Sequence, residues 1–485
     1  MKRRTQRSGG ETEPSKRSLL DLLSRLGRDC TSSTRENFVQ IAAGMILGRG
    51  RGWISRALRF AVYFGFAKHH SAGYRLFSRA PWCADAIGRL IFEAVSQWLG
   101  DTIEIAVDDT LCRRTGRHVW GAGTHVDPLT TIYKNDARVA GKKAFAWGHS
   151  WVVLSLRVCP SWFDGPGFAV PLLARLYRAK RSCPSEEYVK RTELAAEMVR
   201  LFRSWVPSGR EVHVAGDREY VCRTVIRALP KGTQLLGPAA MDTRFYARAP
   251  RRKRGQRGRP RKRGRQLASP TELVSDKRTR WKKVRVRIYS SIVALEVCTQ
   301  AGLWYTVAPD RLCRMIVVRD PSGRYSPRTL VTTDLDSDVT DVIERHSRRW
   351  LIEVAFRQAK QHLGLGQAQN GWEKGEGTPM ERRRERDRLK GRGHHGRSAV
   401  EKTVPFQFIV HAAVIAHGLA AWPRSRERVR RWAPAWARRT DRPSFEELLA
   451  TCRAELAEHA FSAHPPRSRV ARNAPVPLHI GLAAA

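Results

Sequence analysis

Between residues 103 and 239 the chain alternates short β-branched runs with amphipathic stretches, and two of those runs end on aspartates. IEIAVDD at 103–109 and SWVVLSLRV at 150–158 read as strands. SEEYVKRTELAAEMVRLFRSW at 185–205 carries apolar residues at helical spacing, and EVHVAGD at 211–217 returns to strand. A helix through REYVCRTVIRAL then leads to GTQLLGPA. That rhythm predicts an α/β sheet covered by helices. Asp108 and Asp109 close the first strand, and Asp217 closes EVHVAG. In an open sheet the C-terminal ends of strands are where ligands bind. Singly, each aspartate suits a plain capping role for the next turn or helix. As a pair from neighbouring strands, they can share divalent cations whose charge offsets their mutual repulsion.

The flanking regions differ in pattern. Residues 1–18 read as a flexible basic arm with no apolar run, not as a secretory signal. Residues 19–100 read as four or five short helices rich in Arg. There Lys68, His69, His70, Arg75 and Arg79 surround Tyr74 and Phe77, a pattern suited to DNA contact, although a plain helical cap would look similar. The α/β section spans 101–240. PRRKRGQRGRPRKRGR at 250–265 is a low-complexity basic loop, too polar to pack. KKVRVRIY, SIVALEVCTQ, LWYTVA and RMIVVRD follow, separated by short turns, so loop and an antiparallel β unit together fill 241–335. A helical segment at 336–372, a charged loop at 373–402 and a C-terminal helical region at 403–485 complete the chain.

Lys and Arg total 89 against 45 Asp and Glu, a formal net charge of +44, in a chain that is 42% hydrophobic. Such a chain is globular, and its charge calls for a polyanion, of which nucleic acid is the usual one. The nine cysteines are scattered with no C-x-x-C pair, which argues against a disulfide framework or a zinc site. The longest apolar stretch, VPFQFIVHAAVIAHGLAAW at 404–422, holds Gln407, His411 and His417 and reads as a buried core helix, not a membrane span. A soluble cytoplasmic protein is expected, with no membrane partner.

From Asp341 to Gly364 a helix holds His346, Arg349, Glu353 and Lys360 at offsets of three, seven and fourteen, which keeps them within one stripe. Ile352, Phe356, Ala359 and Leu363 form an apolar row that would press on the sheet. On its own, one Glu among Arg and Lys is an ion-paired surface.

Taken in order, VDDT at 107–110, GDREY at 216–220, and His346, Arg349, Glu353 and Lys360 resemble the three acidic blocks of insertion-sequence DDE transposases. They resemble the group whose last block is written YREK, with His346 standing where that signature has Tyr. The resemblance implies an α/β fold: an RNase H-like catalytic domain interrupted by an antiparallel β insertion domain, with helical N-terminal and C-terminal regions. It implies Asp109, Asp217 and Glu353 as catalytic acids holding two Mg²⁺ ions, with Mn²⁺ as a substitute. Asp109 is preferred to Asp108 because family members place the acid directly before Thr. Two metals flanking a phosphodiester activate the nucleophile and stabilise the leaving oxygen. The implied reaction is hydrolysis at transposon ends, then in-line attack of the freed 3′-OH on target DNA.

Arg349 and Lys360 would neutralise phosphates, and His346 would hydrogen-bond to a phosphate or base. The implied partners are double-stranded DNA, as terminal inverted repeats and target, and a second copy of the chain in a synaptic homodimer, at the bacterial nucleoid. RGRP at 257–260 resembles an AT-hook core, which makes Arg257, Arg259 and Arg261 DNA contacts, in a minor groove or simply on phosphates. Trp281 and Trp304 read as core or cross-strand residues, with base stacking as the alternative. Two other functions fit these residues: an RNase H-like nuclease without strand transfer, and a silent DNA-binding repressor descended from a transposase. An RNA-binding scaffold accounts for the charge but not for the acids.

Overall fold

The computed structural model describes residues 18–48, 54–114, 119–127, 130, 144–251, 258–289, 291–367, 393–432 and 441–463. The N-terminal basic arm up to residue 17, Arg257 and most of the charged loop at 373–402 lie outside them. Five helices come first: α1 Leu19–Leu26, α2 Ser32–Leu47, α3 Ile54–Ala61, α4 His70–Ser78 and α5 Ala84–Val95. Then come β1 Thr102–Arg113, β2 Gly123–Val126, β3 Phe145–Val158, β4 Phe168–Tyr177, α6 Arg191–Trp205, β5 Glu211–Gly216, α7 Arg223–Ala228 and β6 Thr233–Ala239. The next group is α8 Pro270–Ser275, β7 Lys282–Ile288, β8 Ser291–Leu303, β9 Leu312–Arg319 and β10 Arg328–Thr332. Helices α9 Val339–Arg348, α10 Leu351–His362, α11 Gly393–Trp432 and α12 Phe445–Ala463 end the described chain.

The ten described strands belong to one mixed sheet, ordered β2-β3-β1-β5-β6-β10-β9-β8-β7, with β4 also paired to β3, on the edge away from β1. β5 runs parallel to β1, and β6 parallel to β5. A parallel pair needs a crossover, which α7 supplies, and is covered on both faces, so β5 is buried along nearly its whole length. On β1 the pleat sends alternate residues to opposite faces. Ile103, Ile105 and Val107 join the main core with Val199 and Phe202 of α6. Cys112 and the half-buried Ala106 instead meet Ile352, Phe356 and Ala359 of α10.

Three expectations change. The β unit within 241–335 is antiparallel, but it continues the main sheet instead of standing apart from it. β10 pairs with β6, Leu330 opposite Pro238, and β9, β8 and β7 extend the sheet from there. Without that pairing β6 would present an open edge. The basic segment, expected to be too polar to pack, docks in its described part. Backbone hydrogen bonds join Ala247 N–H to Arg265 O (2.9 Å) and Gly264 N–H to Ala247 O (2.8 Å), while the Arg263 guanidinium lies 4.1 Å from the Tyr246 ring centre. Such contacts need no apolar side chain. Arg259 and Arg261 remain exposed.

The third change is in the helix expected from Asp341 to Gly364, which divides into α9 and α10. At the junction the N–H groups of Arg349, Trp350 and Ile352 bond three residues back, at 3.2, 3.3 and 3.1 Å. This tightening shifts the phase of the helix, so the four stripe residues do not share one straight face.

The apolar stretch at 404–422 lies in α11, where Phe406 meets Phe38 and Phe77 edge-on at 5.2 Å each. The helix segment Gly396–Arg426 is long and apolar enough to cross a membrane, yet 89% of its apolar window is buried in this fold. In the basic-aromatic cluster of the N-terminal helices, Phe77 belongs to the core and Lys68 is paired with Glu36 at 2.8 Å. Trp304 stacks on Phe245, and the Arg319 guanidinium covers Trp281 at 4.0 Å, so both tryptophans are engaged within the fold.

Candidate active site

Asp108 and Asp109, expected to close the first strand, lie inside it, because β1 stays paired with β3 as far as Arg113, and the pleat therefore decides what the two can reach. Asp108 points to the face covered by α10. There Arg349, at the α9–α10 junction, donates to Asp108 Oδ2 at 2.7 Å and to Glu353 Oε1 at 2.9 Å. One guanidinium thus bridges an acid of the first block and the acid of the third. Asp109 points to the opposite face, where it accepts from Ser150 Oγ at 3.3 Å and from the Tyr220 hydroxyl at 3.4 Å, with Arg191 Nε at 3.9 Å.

Asp217 follows β5 at the level of the β1 pair. Its Oδ1 accepts the N–H groups of Glu219 (2.8 Å) and Tyr220 (3.2 Å), closing an Asx-type turn. The turn folds tightly over Gly216, where an added Cβ would stand 2.9 Å from Tyr220 Cβ. The GDREY block is therefore a backbone device as well as an acid.

The carboxylates feel one another. Burial, together with the charges of Asp217 and Asp109, pushes the Asp108 pKa up to about 7 despite Arg349. Burial also raises Asp217, with Asp109 adding to the shift, and it raises Glu353, with Asp217 adding to that. Glu219 is raised by burial and by the charges of Asp109 and Asp217. Buried, mutually repelling carboxylates are a common mark of functional sites.

Of the other residues singled out by sequence, Lys360 is half-buried on α10 and acts electrostatically on Cys112. His346 does not face the acids as an imidazolium. Burial and the charges of Arg349 and Arg328 push its pKa down to about 4, and its buried Nε2 has no hydrogen-bond partner among the described residues. Arg259 and Arg261 sit on the docked basic segment, away from the helix that carries Glu353 in sequence and pairing.

Sequence reasoning missed the polar row that seats the junction. Glu104, four residues before Asp108 on the same face, accepts two bonds from Arg348 (2.9 and 2.8 Å) and one from Arg157 (3.4 Å). Arg345 contacts His213 Nδ1 at 2.9 Å and Asp334 Oδ2 at 3.3 Å. The partners of Glu104 lie 53 and 244 residues away along the chain, so no local pattern signals them.

This row yields a stability prediction. Burial opposes the Glu104 charge, but the Arg348 hydrogen bond and the charges of Arg157 and Arg348 hold its pKa below the ordinary glutamate value of 4.5. Glu104→Ala leaves the half-buried Arg157 and Arg348 without this partner and should cost roughly 3 kcal/mol of stability near neutrality. A depressed folded pKa gives stability that is present above the unfolded value and is lost as pH falls through the folded one. The gap between wild type and variant in urea unfolding should therefore be full at pH 7 and shrink below about 4.5. A gap independent of pH down to the acid limit would contradict this role.

The sequence profile described as DDE superfamily endonuclease matches residues 21–291, more than half of the chain. The protein belongs to that family of endonucleases. The matched span contains Asp108, Asp109 and Asp217 and stops short of Glu353. Among solved structures, the piggyBac transposase in its cryo-EM synaptic complex with hairpin DNA is similar at 9% identity, covering 93% of this chain and 79% of that one with a TM-score of 0.39. That likeness is too loose to carry residue positions across. No curated protein matches the sequence.

Endonucleases of this family imply divalent metal. Among the described residues no three His, Cys, Asp or Glu side chains are already drawn together around one point. The donor set nonetheless fits a hard cation: Asp108, Asp217 and Glu353 offer only carboxylate oxygens, the ligands that Mg²⁺ prefers. Their mutual repulsion, now partly relieved by Arg349, is what a dication would relieve.

Proposed function

We propose that this endonuclease is a DNA transposase of the YREK-signature group, in which the five strands β4, β3, β1, β5 and β6 form an RNase H-like catalytic sheet. It binds the ends of its element as double-stranded DNA, cleaves them, and joins the 3′-OH ends to target DNA. It works as a homodimer that holds two ends together in the bacterial cytoplasm. The observation that carries this reading is the Arg349 bridge, which ties the first and third acidic blocks together beside Asp217.

We assign Asp108, Asp217 and Glu353 as the catalytic acids, where sequence pattern favoured Asp109. The support for Asp108 is that it shares a sheet face and a guanidinium with Glu353, while Asp109 is engaged on the other face. These three carboxylates would hold two Mg²⁺ ions, or Mn²⁺ in their place. Bound there, the metals supply a lowered pKa for the attacking water or 3′-OH and stabilisation of the leaving oxygen.

The chain itself supplies the rest. The paired interior of β1, the end of β5 and the α9–α10 helices fix the carboxylates, so little reorganisation is needed at the moment of reaction. The Asx turn at Asp217 holds Oδ1 on the backbone, and Oδ2 takes no part in that turn. Arg349, whose N–H groups now donate to Asp108 and Glu353, would be able to donate to a phosphate if those acids were neutralised otherwise. Lys360, two turns further along α10, would meet a different phosphate.

The test uses a duplex carrying the terminal repeats that flank the coding sequence, with a pre-cut 3′-OH end, incubated with target plasmid and Mg²⁺. Covalent joining of the end to the plasmid is expected. Cutting of uncut ends without any joining would favour the nuclease reading. Tight end binding with neither reaction in Mg²⁺ or Mn²⁺ would favour the repressor.

A further inference from the structure

The hairpin of β7 and β8 has no task in the site described above, yet the sheet register aims it at the same edge. Pro238 of β6, two residues beyond the last parallel pair Ala215–Leu236 just as Asp217 is on β5, opposes Leu330; Leu330 opposes Ile316, and Ile316 opposes Thr299 of β8. Thr299 thus stands level with Asp217 across the sheet. From there back to Ser291, β8 covers eight residues towards the acid-bearing edge, roughly 26 Å at about 3.3 Å per residue. β9 leaves the ladder at Arg319, opposite Glu296, so the stretch Ser291–Leu295 is paired only with β7. The tip is a projecting two-stranded ribbon.

Its two faces differ. Val284, Val286, Leu295 and Val297 pack against Val342 and Ile343 of α9. On the other face Lys283, Arg285 and Arg287 are exposed at every second position of β7. Ala294 opposes Arg285 and Ile292 opposes Arg287, so no acid faces either guanidinium across the ladder. Arg287 makes one long contact to Asp164, at 3.8 Å, and its backbone N–H bonds Glu344 of α9. At the tip, Ile292 is 60% and Tyr289 55% exposed. Tyr289 also has a φ of 55°, the only positive φ at a non-glycine among the described residues. Strain of this kind persists where the surroundings over-determine it and clusters at sites of function.

From this geometry we propose that the β7–β8 ribbon docks duplex DNA against the acid-bearing edge, its basic face on phosphates and the exposed side chains of Tyr289 and Ile292 in a groove. The proposal rests on the reading of the substrate as DNA. A two-stranded antiparallel ribbon fits the major groove, about 12 Å wide, and apolar side chains there meet thymine methyl groups. A basic, edge-projecting ribbon suits a polyanion, and its link through Glu344 to α9 connects it to the helix pair that carries Glu353.

Binding of the full chain to a labelled terminal-repeat duplex, followed by anisotropy across a salt series, tests this. Lys283→Ala/Arg285→Ala/Arg287→Ala should lower the slope of log K against log salt by about 2 to 3, near 0.9 per lost phosphate contact. Tyr289→Ser/Ile292→Ser should leave the slope unchanged and weaken binding about tenfold at fixed salt. Arg200→Ala/Arg227→Ala, removing exposed cations from α6 and α7, should change neither. All three variants should melt with the wild type, since every altered side chain is exposed. A triple variant that melts normally and keeps the wild-type slope overturns the proposal, as does one that loses no more than the α6–α7 control. If the wild-type chain binds no duplex at all, the reading of the substrate as DNA falls first and this proposal with it.

Discussion

Asp217→Asn should lower DNA cleavage by about 10³-fold or more while leaving fold and end binding close to wild type. The size follows from the chemistry: a bound metal contributes several kcal/mol to the transition state, and each 1.36 kcal/mol is tenfold in rate. The specificity follows from the turn. Asn keeps the side-chain carbonyl oxygen that accepts the N–H groups of Glu219 and Tyr220, so the backbone after β5 retains its shape. What is lost is the negative charge that Asp108, Glu353 and Glu219 all feel. Removing it also relieves repulsion, so the melting temperature should hold or rise. A stability–activity trade of that sign is expected where a site stores electrostatic strain. Single-turnover cleavage and thermal unfolding of the same preparation check both halves.

The second large effect separates two neighbours. Asp108→Asn should lower cleavage by about 10³-fold, and Asp109→Asn by only about tenfold. Asp108 lies on the α10 face and shares Arg349 with Glu353, so its charge is part of the assembled site. Asp109 lies on the α6 face, where Ser150, Tyr220 and Arg191 hold it. Its loss acts through Asp217, whose pKa it helps raise, and through the Arg191 contact. Equal loss in both variants would mean that β1 rearranges around Asp108 and Asp109 when metal and DNA bind. A larger loss for Asp109→Asn would return the role to the acid next to Thr110.

Much of this candidate site is legible in the sequence, and the reasons for the rest are physical. Asp217 could be found because a strand, a glycine and an Asx turn follow one another within a few residues, all local signals. The β1 pair could be found but not resolved: alternation says that Asp108 and Asp109 face opposite ways, but which way depends on where α10 packs. That packing is set by Ile352, Phe356 and Ala359 against Ala106 and Cys112, a contact between segments about 240 residues apart. The break between α9 and α10 carries no glycine or proline, so the 3.6-residue pattern runs through it unmarked. It is held by Arg345, Arg348 and Arg349, each paired with an acid on another element.

The β unit was legible as antiparallel because its alternation is local. Its continuity with the main sheet depends on β10 finding β6 and left no trace in either strand. The docked half of the basic segment shows a further limit: a run of arginines hides a backbone that can still pair. There Tyr246 and Tyr305 supply the aromatic surface on which Arg263 rests, and they come from flanking segments that composition treats as separate.

The central claim is that Asp108, Asp217 and Glu353 form one metal-dependent site for cutting and joining DNA. The most direct measurement incubates wild-type protein and Asp217→Asn with supercoiled plasmid bearing the element's ends, with Mg²⁺ present or withheld, and counts nicked, linear and joined products. Wild type should give nicked, linear and joined DNA with Mg²⁺ only, and the variant none above background. Cutting by Asp217→Asn at the wild-type rate, or cutting by wild type in chelator, would contradict the claim.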